Sequence, residues 1–430
     1  MAFHTYKVEH YGKLSSGAYS TTPTELDNIL SINVNLQDGA NADSFSIMIF
    51  NDGDNEFEDI SIDDRVRIYG SLDGSNFTML IDGIVNEKNQ KGGTDGNVIT
   101  ISGLNRLEKL FNALVSTTGE NTQHTASYWV KNILDQVNDF NNYTLADRSI
   151  KYVYQGKDQD GNSTTMSDTI QQTSGNISFV RDFEKAFNLV EELSKPEYTG
   201  GVNYVFYADT SNYFHFEERS SSVGADLVYG EDILSHRTTK GMFDIINFII
   251  MNGGKSPRGM SILQMDYNSE SIAKFGWKVK LVNEGIASAI GTEEIRLMRQ
   301  RNVYDEDSPE FPTAYPFTTS WGVSTTSNST YNKAFVNEVL ARAKEKIRIL
   351  LNKNGGATYK VDLSMNPSFG YALYNKHLLV IPVNGLSTYY NWSVGVKLRI
   401  SSINYTFTEN GWNTDLSMEQ DMDEAEGGSI

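Results

Sequence analysis

The sequence predicts a protein of the α+β class that is mainly β, with two small β-barrel-like modules, one towards each end. Between the modules we expect α/β and helical segments. Three observations predict this fold. The 430 residues include 23 tyrosines, 21 phenylalanines and 35 glycines but only eight prolines, a composition typical of ordered sheets with tight turns. Short segments of alternating apolar and polar residues occur towards both ends, and three amphipathic helical patterns lie between them.

Four strands are predicted in the first module, where apolar residues alternate between turns rich in glycine, aspartate and asparagine. In the first of them, Phe45, Ile47 and Ile49 share one face. The other three strands are Arg65–Tyr69, Met79–Val85 and Val98–Ile101, with a loop predicted over 91–97. Strands this short and evenly spaced are typical of a small barrel.

Three segments carry apolar residues at the spacing of an amphipathic helix, over 125–138, 178–194 and 331–352. Pro196 follows the second segment and Gly355-Gly356 the third, where helix-ending residues are expected. Their polar faces mix both signs of charge, so we predict that they pack within the protein and do not lie on a membrane.

The middle of the chain alternates strands with long polar segments. A hairpin is predicted from Tyr204 to Glu217, with further strands over Ile245–Met251 and Trp277–Val282. Residues 155–176 and 305–328 are predicted to be surface loops because they are polar and interrupted by glycine or proline.

The C-terminal strands repeat the spacing of the first module. They are Thr358–Leu363, His377–Ile381, Val396–Tyr405 and Asp415–Met418. Their centres, near residues 361, 379, 400 and 416, follow the order and similar steps of centres near 47, 67, 83 and 100. The spacing therefore indicates a weak internal repeat, although the residues themselves are not alike.

Together these patterns predict five regions along the chain. They are a first barrel over 1–115, a middle α+β domain with a hairpin over 116–240, strands, a long loop and a long helix over 241–355, a second barrel over 356–420, and a flexible acidic tail over 421–430.

Charge and cysteine content exclude several functions. The 36 basic and 55 acidic residues give a net charge of −19, which repels polyanions and argues against a general nucleic-acid binder or docking to anionic lipid. The absence of cysteine excludes disulfides, thiolate zinc sites, iron–sulfur clusters and cysteine nucleophiles. The longest apolar stretch, Phe243–Met251, is too short to span a bilayer, so we expect no membrane insertion.

No pattern points to catalysis. The six histidines show no metal-binding spacing; they are His4, His10, His124, His215, His236 and His377. The acidic runs Asp52–Asp64 and Asp158–Asn162 lack the glycine and bidentate acid of a calcium loop, which favours solvated turns. We therefore predict no catalytic, cofactor-binding or metal-ligating residue, no cofactor and no enzyme. Paired acids for glycoside hydrolysis stay an open alternative among 55 acidic residues.

The segments from Ser44 to Leu110 resemble the opening barrel of the phage tail hub family. The resemblance lies in Ser44-Phe-Ser-Ile-Met-Ile-Phe-Asn, Asp64-Arg-Val-Arg-Ile-Tyr, Leu80-Ile-Asp-Gly-Ile-Val and Val98-Ile-Thr-Ile-Ser-Gly-Leu-Asn-Arg-Leu. That family includes the baseplate hubs of contractile-tailed phages, the late control protein D group and the hub part of the valine–glycine repeat spike proteins of type VI secretion.

The later chain is similar to the same family. The segment Ser271-Ile-Ala-Lys-Phe-Gly276 resembles a family motif, and the 331–352 helix followed by strands resembles the entry to the second barrel. Two departures concern function, since the chain has neither an added lysozyme-like domain nor a C-terminal β-helical needle. The strand at His377 also lacks the usual Pro-Gly-Asp before it.

The resemblance implies a structural hub at the distal end of a phage tail or related injection system. It implies a homotrimer that adapts a sixfold tail tube to a threefold spike, with a channel through which DNA and the tape measure protein pass without specific binding. The implied partners are the tail tube, spike or tip, tape measure and other baseplate proteins, in a virion tail made in the host cytoplasm. Two alternatives are a tail-tip receptor- or carbohydrate-binding protein and a tail-associated cell-wall hydrolase.

Overall fold

The computed structural model describes most of the chain. The described residues are 6–16, 18–37, 42–51, 59–93, 96–117, 124–140, 149–177, 179, 181–200, 202–219, 224–241, 245–255, 261–283, 340–351 without 342, 345 and 349, 358–373, 376–380, 396–409 and 411–420. Strands dominate among them, which confirms the mainly β fold predicted from the sequence.

The strands of the N-terminal half come first along the chain. They are β1 (Tyr6–Tyr11), β2 (Thr24–Glu25), β3 (Ile29–Gln37), β4 (Ser44–Asn51), β5 (Arg65–Gly70), β6 (Thr78–Gly93), β7 (Gly96–Asn105), β8 (Leu114–Val115), β9 (Val153–Tyr154), β10 (Lys157–Asp158), β11 (Glu184–Lys185), β12 (Tyr204–Ala208) and β13 (Phe214–Glu218).

The remaining strands and the helices complete the described elements. The strands are β14 (Leu227–Val228), β15 (Ile233–Gly241), β16 (Phe248–Lys255), β17 (Ser261–Tyr267), β18 (Val279–Asn283), β19 (Thr358–Met365), β20 (Lys376–Val380), β21 (Val396–Thr408) and β22 (Gly411–Gln420). The helices are α1 (Glu108–Asn112), α2 (Ala126–Phe140), α3 (Ala186–Leu193), α4 (Pro196–Thr199), α5 (Ser269–Phe275) and α6 (residues 340–351).

The chain forms two compact units. One comprises Met1–Thr238 with Val361–Glu419, and the other comprises Thr239–Lys360 with Gln420–Ile430. The first unit is built on a 13-stranded sheet in the order β15-β19-β22-β21-β3-β4-β7-β6-β5-β1-β2, with β20 also paired to β21 and β14 paired to β20. The sequence predicted two separate strand sets. The structure joins them in one sheet, because β21 pairs antiparallel with β3 from Ser402↔Gln37 to Thr408↔Ser31.

The four strands predicted in the first module are confirmed as β4 to β7. The loop predicted over 91–97 is wrong, because the β6–β7 ladder continues through Lys91↔Val98 and Gly92↔Asn97 to Gly93↔Gly96. Glycine and asparagine end strands only when the backbone leaves the sheet, and here antiparallel pairing keeps the backbone extended as far as Gly93.

The middle of the first unit packs helices against a hairpin. The helix predicted over 125–138 is confirmed as α2, and the Tyr204–Glu217 hairpin as β12 and β13. The helix predicted over 178–194 begins only at Ala186, because Phe183 has a left-handed φ of 46° and Glu184-Lys185 pair with Leu114-Val115. The side chains of Trp129, Ile133, Phe187, Phe206 and Phe216 lie in one buried core.

The second unit contains a three-stranded sheet in the order β17-β16-β18 and the helix α6. Ile249 and Met251 of β16 form a buried core with Ala343, Ile347 and Leu351 of α6. The helix predicted over 331–352 is thus observed over its described part, whereas the predicted 305–328 loop and 421–430 tail lie outside the described residues. No helix in the described part of the chain has the length and apolar character needed to cross a membrane.

Candidate functional site: two equivalent strand modules

Two groups of six strands in the first unit have the same pairing order. We call β1 and β3–β7 module 1, and β14, β15 and β19–β22 module 2. In module 1 the order is β1·β5·β6·β7·β4·β3, and in module 2 it is β14·β20·β21·β22·β19·β15. When the six strands of each module are taken in chain order, the first strand of one module has the same place in the sheet as the first strand of the other, and so on through the sixth. A difference lies at one end, where β1 pairs antiparallel with β5 but β14 pairs parallel with β20.

The equivalence extends to individual residues. The β6–β7 hairpin runs from Gly93 to Gly96 and the β21–β22 hairpin from Thr408 to Gly411, so that 408 − 93 = 411 − 96 = 315. The neighbouring ladders agree, since Arg65 lies opposite Ile84 and Lys376 lies opposite Arg399, where 399 − 84 is again 315. The strands β4 and β19 each have eight residues, and β3 and β15 each have nine.

Burial matches at equivalent positions along each strand. Ile47 and Ile49 of β4 are buried, as are Val361 and Leu363 of β19. The inward side chains on the last strand of each module are also buried at matching positions; these are Ile99 and Ile101 on β7 and Thr414 and Leu416 on β22. The repeat inferred from strand spacing is therefore a repeat of topology and inward-facing positions, which does not require sequence identity.

The two modules fill their interiors differently. In module 1 the ring of Phe45 lies over Gly83 and Gly103, where an added Cβ would come within 2.6 Å and 2.7 Å of ring carbons. The equivalent positions in module 2 carry Leu398 and Met418, both buried. Glycine at two strand positions thus makes room for one aromatic ring in module 1.

Aromatic side chains pack where the two modules meet. Tyr405 and Phe407 of β21 are buried, and the Phe407 ring lies 5.3 Å from that of Trp412. Trp412 stacks on Phe369 at 4.5 Å, and Phe369 lies 5.6 Å from Tyr405. Burial raises the pKa of Tyr405 above its usual range. The junction between the modules is therefore a buried core interface.

A buried carboxylate links module 1 to the middle hairpin. Asp82 of β6 accepts hydrogen bonds from Arg65 Nε at 2.7 Å, Arg67 Nε at 3.2 Å and Asn212 Nδ2 at 2.7 Å. Burial alone would raise the pKa of Asp82, but the Arg65 hydrogen bond and the charges of Arg65, Arg106 and Arg67 hold the pKa below its usual value. Asn212 adopts a left-handed φ of 65° in the turn between β12 and β13, which aims its amide at the carboxylate.

Two further acids have shifted pKa values in module 1. Burial raises the pKa of Asp43 to about 7, and the hydrogen bonds from the Gln37 N–H and the Asn105 side chain offset only part of that effect. Burial would also raise the pKa of Glu9, but hydrogen bonds from Lys7, Tyr11 and Tyr69 lower it. Asp43 thus connects the ends of β3 and β7, and Glu9 on β1 contacts Tyr69 on the neighbouring strand β5.

The described histidines lie apart from one another. His10 bonds to Asp64 at 2.8 Å, and that carboxylate also accepts the backbone N–H groups of Ser61 and Lys13. His215 bonds to Asp209 at 3.1 Å within its own hairpin. The other described histidines pack or bond locally; His124 stacks on Tyr128, His236 packs edge-on against Tyr229, and His377 bonds to the Ala225 carbonyl.

The acidic segments that suggested calcium have a different role where they are described. Asp158 accepts the backbone N–H groups of Asp160 and Asn162, as expected for a turn. Residues 52–58 and His4 lie outside the described residues. Within the described part of the chain, no group of three or more histidine, aspartate or glutamate residues is placed to hold a metal ion.

The second unit presents an apolar sheet face on the side opposite α6. Phe248 of β16 lies between Tyr267 of β17 and Val279 of β18, and its ring packs 5.4 Å from that of Trp277. In the next row of the same face, Ile250 lies between Met265 and Leu281. Trp277 and Met265 are each 64% exposed, so large apolar side chains are accessible on this face among the described residues.

Comparison with known proteins supports the fold assigned above. No protein-family model and no curated protein matches the chain. Among solved structures, a tail protein from Neisseria meningitidis MC58 matches with a TM-score of 0.55 and 9% identity, over 97% of both chains. The 43 kDa tail protein of prophage MuSo2 from Shewanella oneidensis matches with a TM-score of 0.54 and 12% identity, over 97% of this chain and 99% of the other. The chain thus shares its fold with two tail proteins, which agrees with the resemblance noted in the sequence.

Proposed function

We propose that this chain is a non-enzymatic structural protein of a phage tail or related injection system, and that it forms the hub at the distal end of the tail. Three copies would make a homotrimer that connects a sixfold tail tube to a threefold spike. Its channel would pass DNA and the tape measure protein.

The observation that carries this proposal is the pair of modules with one pairing order in one sheet. A ring of three such chains contains six similar modules, so it offers six similar contacts to a tube on one side and three identical contacts to a spike on the other. Equivalent surfaces repeated within the chain therefore reconcile the two symmetries without six copies. The fold shared with a tail protein and a prophage tail protein over 97% of this chain supports the same role.

The implied partners are the tail tube, spike or tip, tape measure and other baseplate proteins. The site of action would be the virion tail, after synthesis in the host cytoplasm. The net charge of −19 suits a channel wall that must let DNA pass without binding it, because like charge repels phosphate.

Light scattering after size exclusion, over a concentration series, tests the oligomeric state. The chain has a mass of 48.1 kDa, and we expect a species near three times that value, 144.3 kDa, that grows with concentration. A mass that stays at 48.1 kDa at every concentration would contradict a trimer that assembles by itself. A cell-wall zymogram run in parallel should show no cleared band, and a cleared band would favour the hydrolase instead.

One observation favours a second candidate, a tail-tip carbohydrate-binding protein. The exposed face of the second unit groups the rings of Phe248, Tyr267 and Trp277, and aromatic rings offer flat apolar surface of the kind sugars stack on. A glycan array tests this candidate, with Trp277→Ala as the matched variant. Binding that Trp277→Ala abolishes would support it, and an array without hits would contradict it.

A further inference from the structure

The junction between the modules shows how one strand edge of each module can be closed. On one side β21 pairs with β22. On its other side it pairs with β20 over residues 396–399 and with β3 over residues 402–408. One strand of module 2 therefore holds two partners in succession along a single edge. The second of these partners, β3, belongs to module 1.

Among the described residues, the equivalent edge of module 1 is paired with a strand over only half of its length. On one side β6 pairs with β7, and on the other side it pairs with β5 over residues 78–84. The residues of module 1 that are equivalent to 402–408 of β21 lie 315 positions earlier, at residues 87–93 of β6. No strand among the described residues pairs with that stretch on the β5 side. Glu87, Asn89, Gln90 and Lys91 in it are exposed.

The strand equivalent to β3 also has an open edge. β15 matches β3 in length and in its place in the module, and it pairs with β19 as β3 pairs with β4. β15 is a terminal strand of the 13-stranded sheet. In the described part of the chain, its second edge is therefore not paired with a strand. Leu234 of β15 is 54% exposed.

Unsatisfied polar atoms lie on this open strand. The inward positions of β3 are Ile29, Ile32 and Val34, all buried. Their counterparts on β15 are Ile233, His236 and Thr238, each 204 residues later. His236 Nδ1 and Thr238 Oγ1 are buried atoms without a hydrogen-bond partner. Buried polar groups nearly always have partners in native proteins, so the Thr238 hydroxyl points to a polar side chain on a neighbouring strand.

We propose that β15 of one chain pairs antiparallel with residues 87–93 of β6 in a second copy, and so repeats the β21·β3 junction between copies. The register follows from the two offsets. Val34↔Tyr405 becomes Thr238 opposite Gln90 of the other chain, and Asn33↔Thr406 becomes Arg237 opposite Lys91. The Gln90 amide can both donate and accept, so it suits the Thr238 hydroxyl.

The pairing joins two different surfaces, β15 of one chain and β6 of the next, so it is a head-to-tail contact. Such contacts close into a ring when the rotation between copies allows it. The partner is a second copy of this chain, because β21 and β3 already form the equivalent strand pair within one chain. The inference rests on the proposed trimer and adds which strands and which register hold it together.

The register also carries a cost that can be measured. Lys91 and Arg237 would lie directly opposite each other, and like charges in that position destabilise a strand pair. Reversal of either charge should then strengthen association. Reversal of both should restore repulsion.

Cross-linking tests the register directly, because the chain has no cysteine of its own. A Lys91→Cys chain mixed with an Arg237→Cys chain should give a disulfide-linked dimer of twice 48.1 kDa on a non-reducing gel. The internal control is Asn33→Cys with Thr406→Cys in one chain, which should close within the chain because these residues are already opposite each other. Arg237→Cys mixed with Asn97→Cys, on the neighbouring strand β7, should give little cross-linking.

The outcomes separate this proposal from the proposed function. A 144.3 kDa trimer without the Lys91–Arg237 cross-link, in a protein where the internal control closes, would overturn the register and leave the hub in place. A chain that stays monomeric and gives no intermolecular cross-link would contradict both. As a second readout, Lys91→Glu should lower the concentration needed for assembly by about fivefold, and the Lys91→Glu, Arg237→Glu double variant should lose that gain. No change in either variant would also contradict the register.

Discussion

The two modules share one pairing order but differ in what covers the same strand edge. In module 2 the outer half of β21 carries Tyr405 and Phe407, which are buried where β3 pairs with it. In module 1 the matching positions of β6 are Gln90 and Gly92, both exposed. Apolar residues thus mark the edge that is closed within the chain. Polar residues and glycine mark the edge that no strand of the described part of the chain covers.

The largest expected effect comes from breaking the closed edge. Tyr405→Ala removes a side chain that is 2% exposed and should lower the free energy of unfolding by about 3–5 kcal/mol, as large-to-alanine changes of core aromatics do. The matched variant Gln90→Ala should stay within about 0.5 kcal/mol in the monomer. Urea unfolding measures both, and equal losses would contradict the difference between the two edges.

A smaller effect is expected at the carboxylate that module 1 shares with the hairpin. Asp82→Ala leaves Arg65, Arg67 and Asn212 without their acceptor and should cost about 3 kcal/mol, at the lower end for a broken buried pair because both arginines partly reach water. The control Asn212→Ala removes one hydrogen bond and should cost about 1 kcal/mol.

The loss of stability caused by Asp82→Ala is expected to depend on pH. The pKa of Asp82 is lowered in the folded state, so its contribution is complete above the unfolded-state value near 4 and is lost as the pH falls through the folded value. The difference between wild type and Asp82→Ala should therefore shrink in acid. A difference that grows below pH 4 would contradict the assigned ion pairs.

A third prediction concerns the different interiors. A Cβ at Gly103 would lie 1.9 Å from the Ile84 carbonyl oxygen and 2.7 Å from the Phe45 ring, so Gly103→Ala should lower stability by about 1–3 kcal/mol through overpacking. Gly12→Ala is the control, since its nearest contact would be His10 Cε1 at 3.9 Å. Thermal unfolding measures both variants, and an unchanged stability of Gly103→Ala would contradict the claim that the Phe45 ring requires glycine at this position.

A pH response of stability is expected at Asp43. Its pKa of about 7 lies above the ordinary value of 3.8, so the folded state holds a proton that the unfolded state releases, and stability falls as the pH rises from about 4 to about 7. Asp43→Asn should reduce the difference in melting temperature between pH 5 and pH 8. Asp73→Asn, at an exposed turn whose aspartate has a lowered pKa, should leave that difference as in wild type.

The periodicity of apolar residues predicted those helices and strands whose contacting residues lie close together along the chain. The stripe containing Trp129 and Ile133 predicted α2, and strand spacing predicted the repeat. The strand β3 was missed although Ile32, Val34 and Leu36 alternate in it. The strand β15 was missed because it has few apolar residues, as an edge strand that awaits a partner can.

Other features depend on contacts that no local pattern contains. The β21·β3 junction joins residues about 370 positions apart, and Asp82 meets Asn212 across 130 positions. The late start of α3 depends on the left-handed backbone of Phe183 and on pairing with Leu114-Val115. Pairing between residues so far apart in the sequence depends on how whole packed surfaces fit together. The periodicity of apolar residues within one segment does not reveal that fit.

Electron cryomicroscopy of the assembled protein tests the central claim most directly. We expect a closed ring of three chains with six similar lobes around a channel, two lobes from the modules of each chain. A closed assembly with another number of chains, or three chains whose modules do not alternate around one ring, would contradict it.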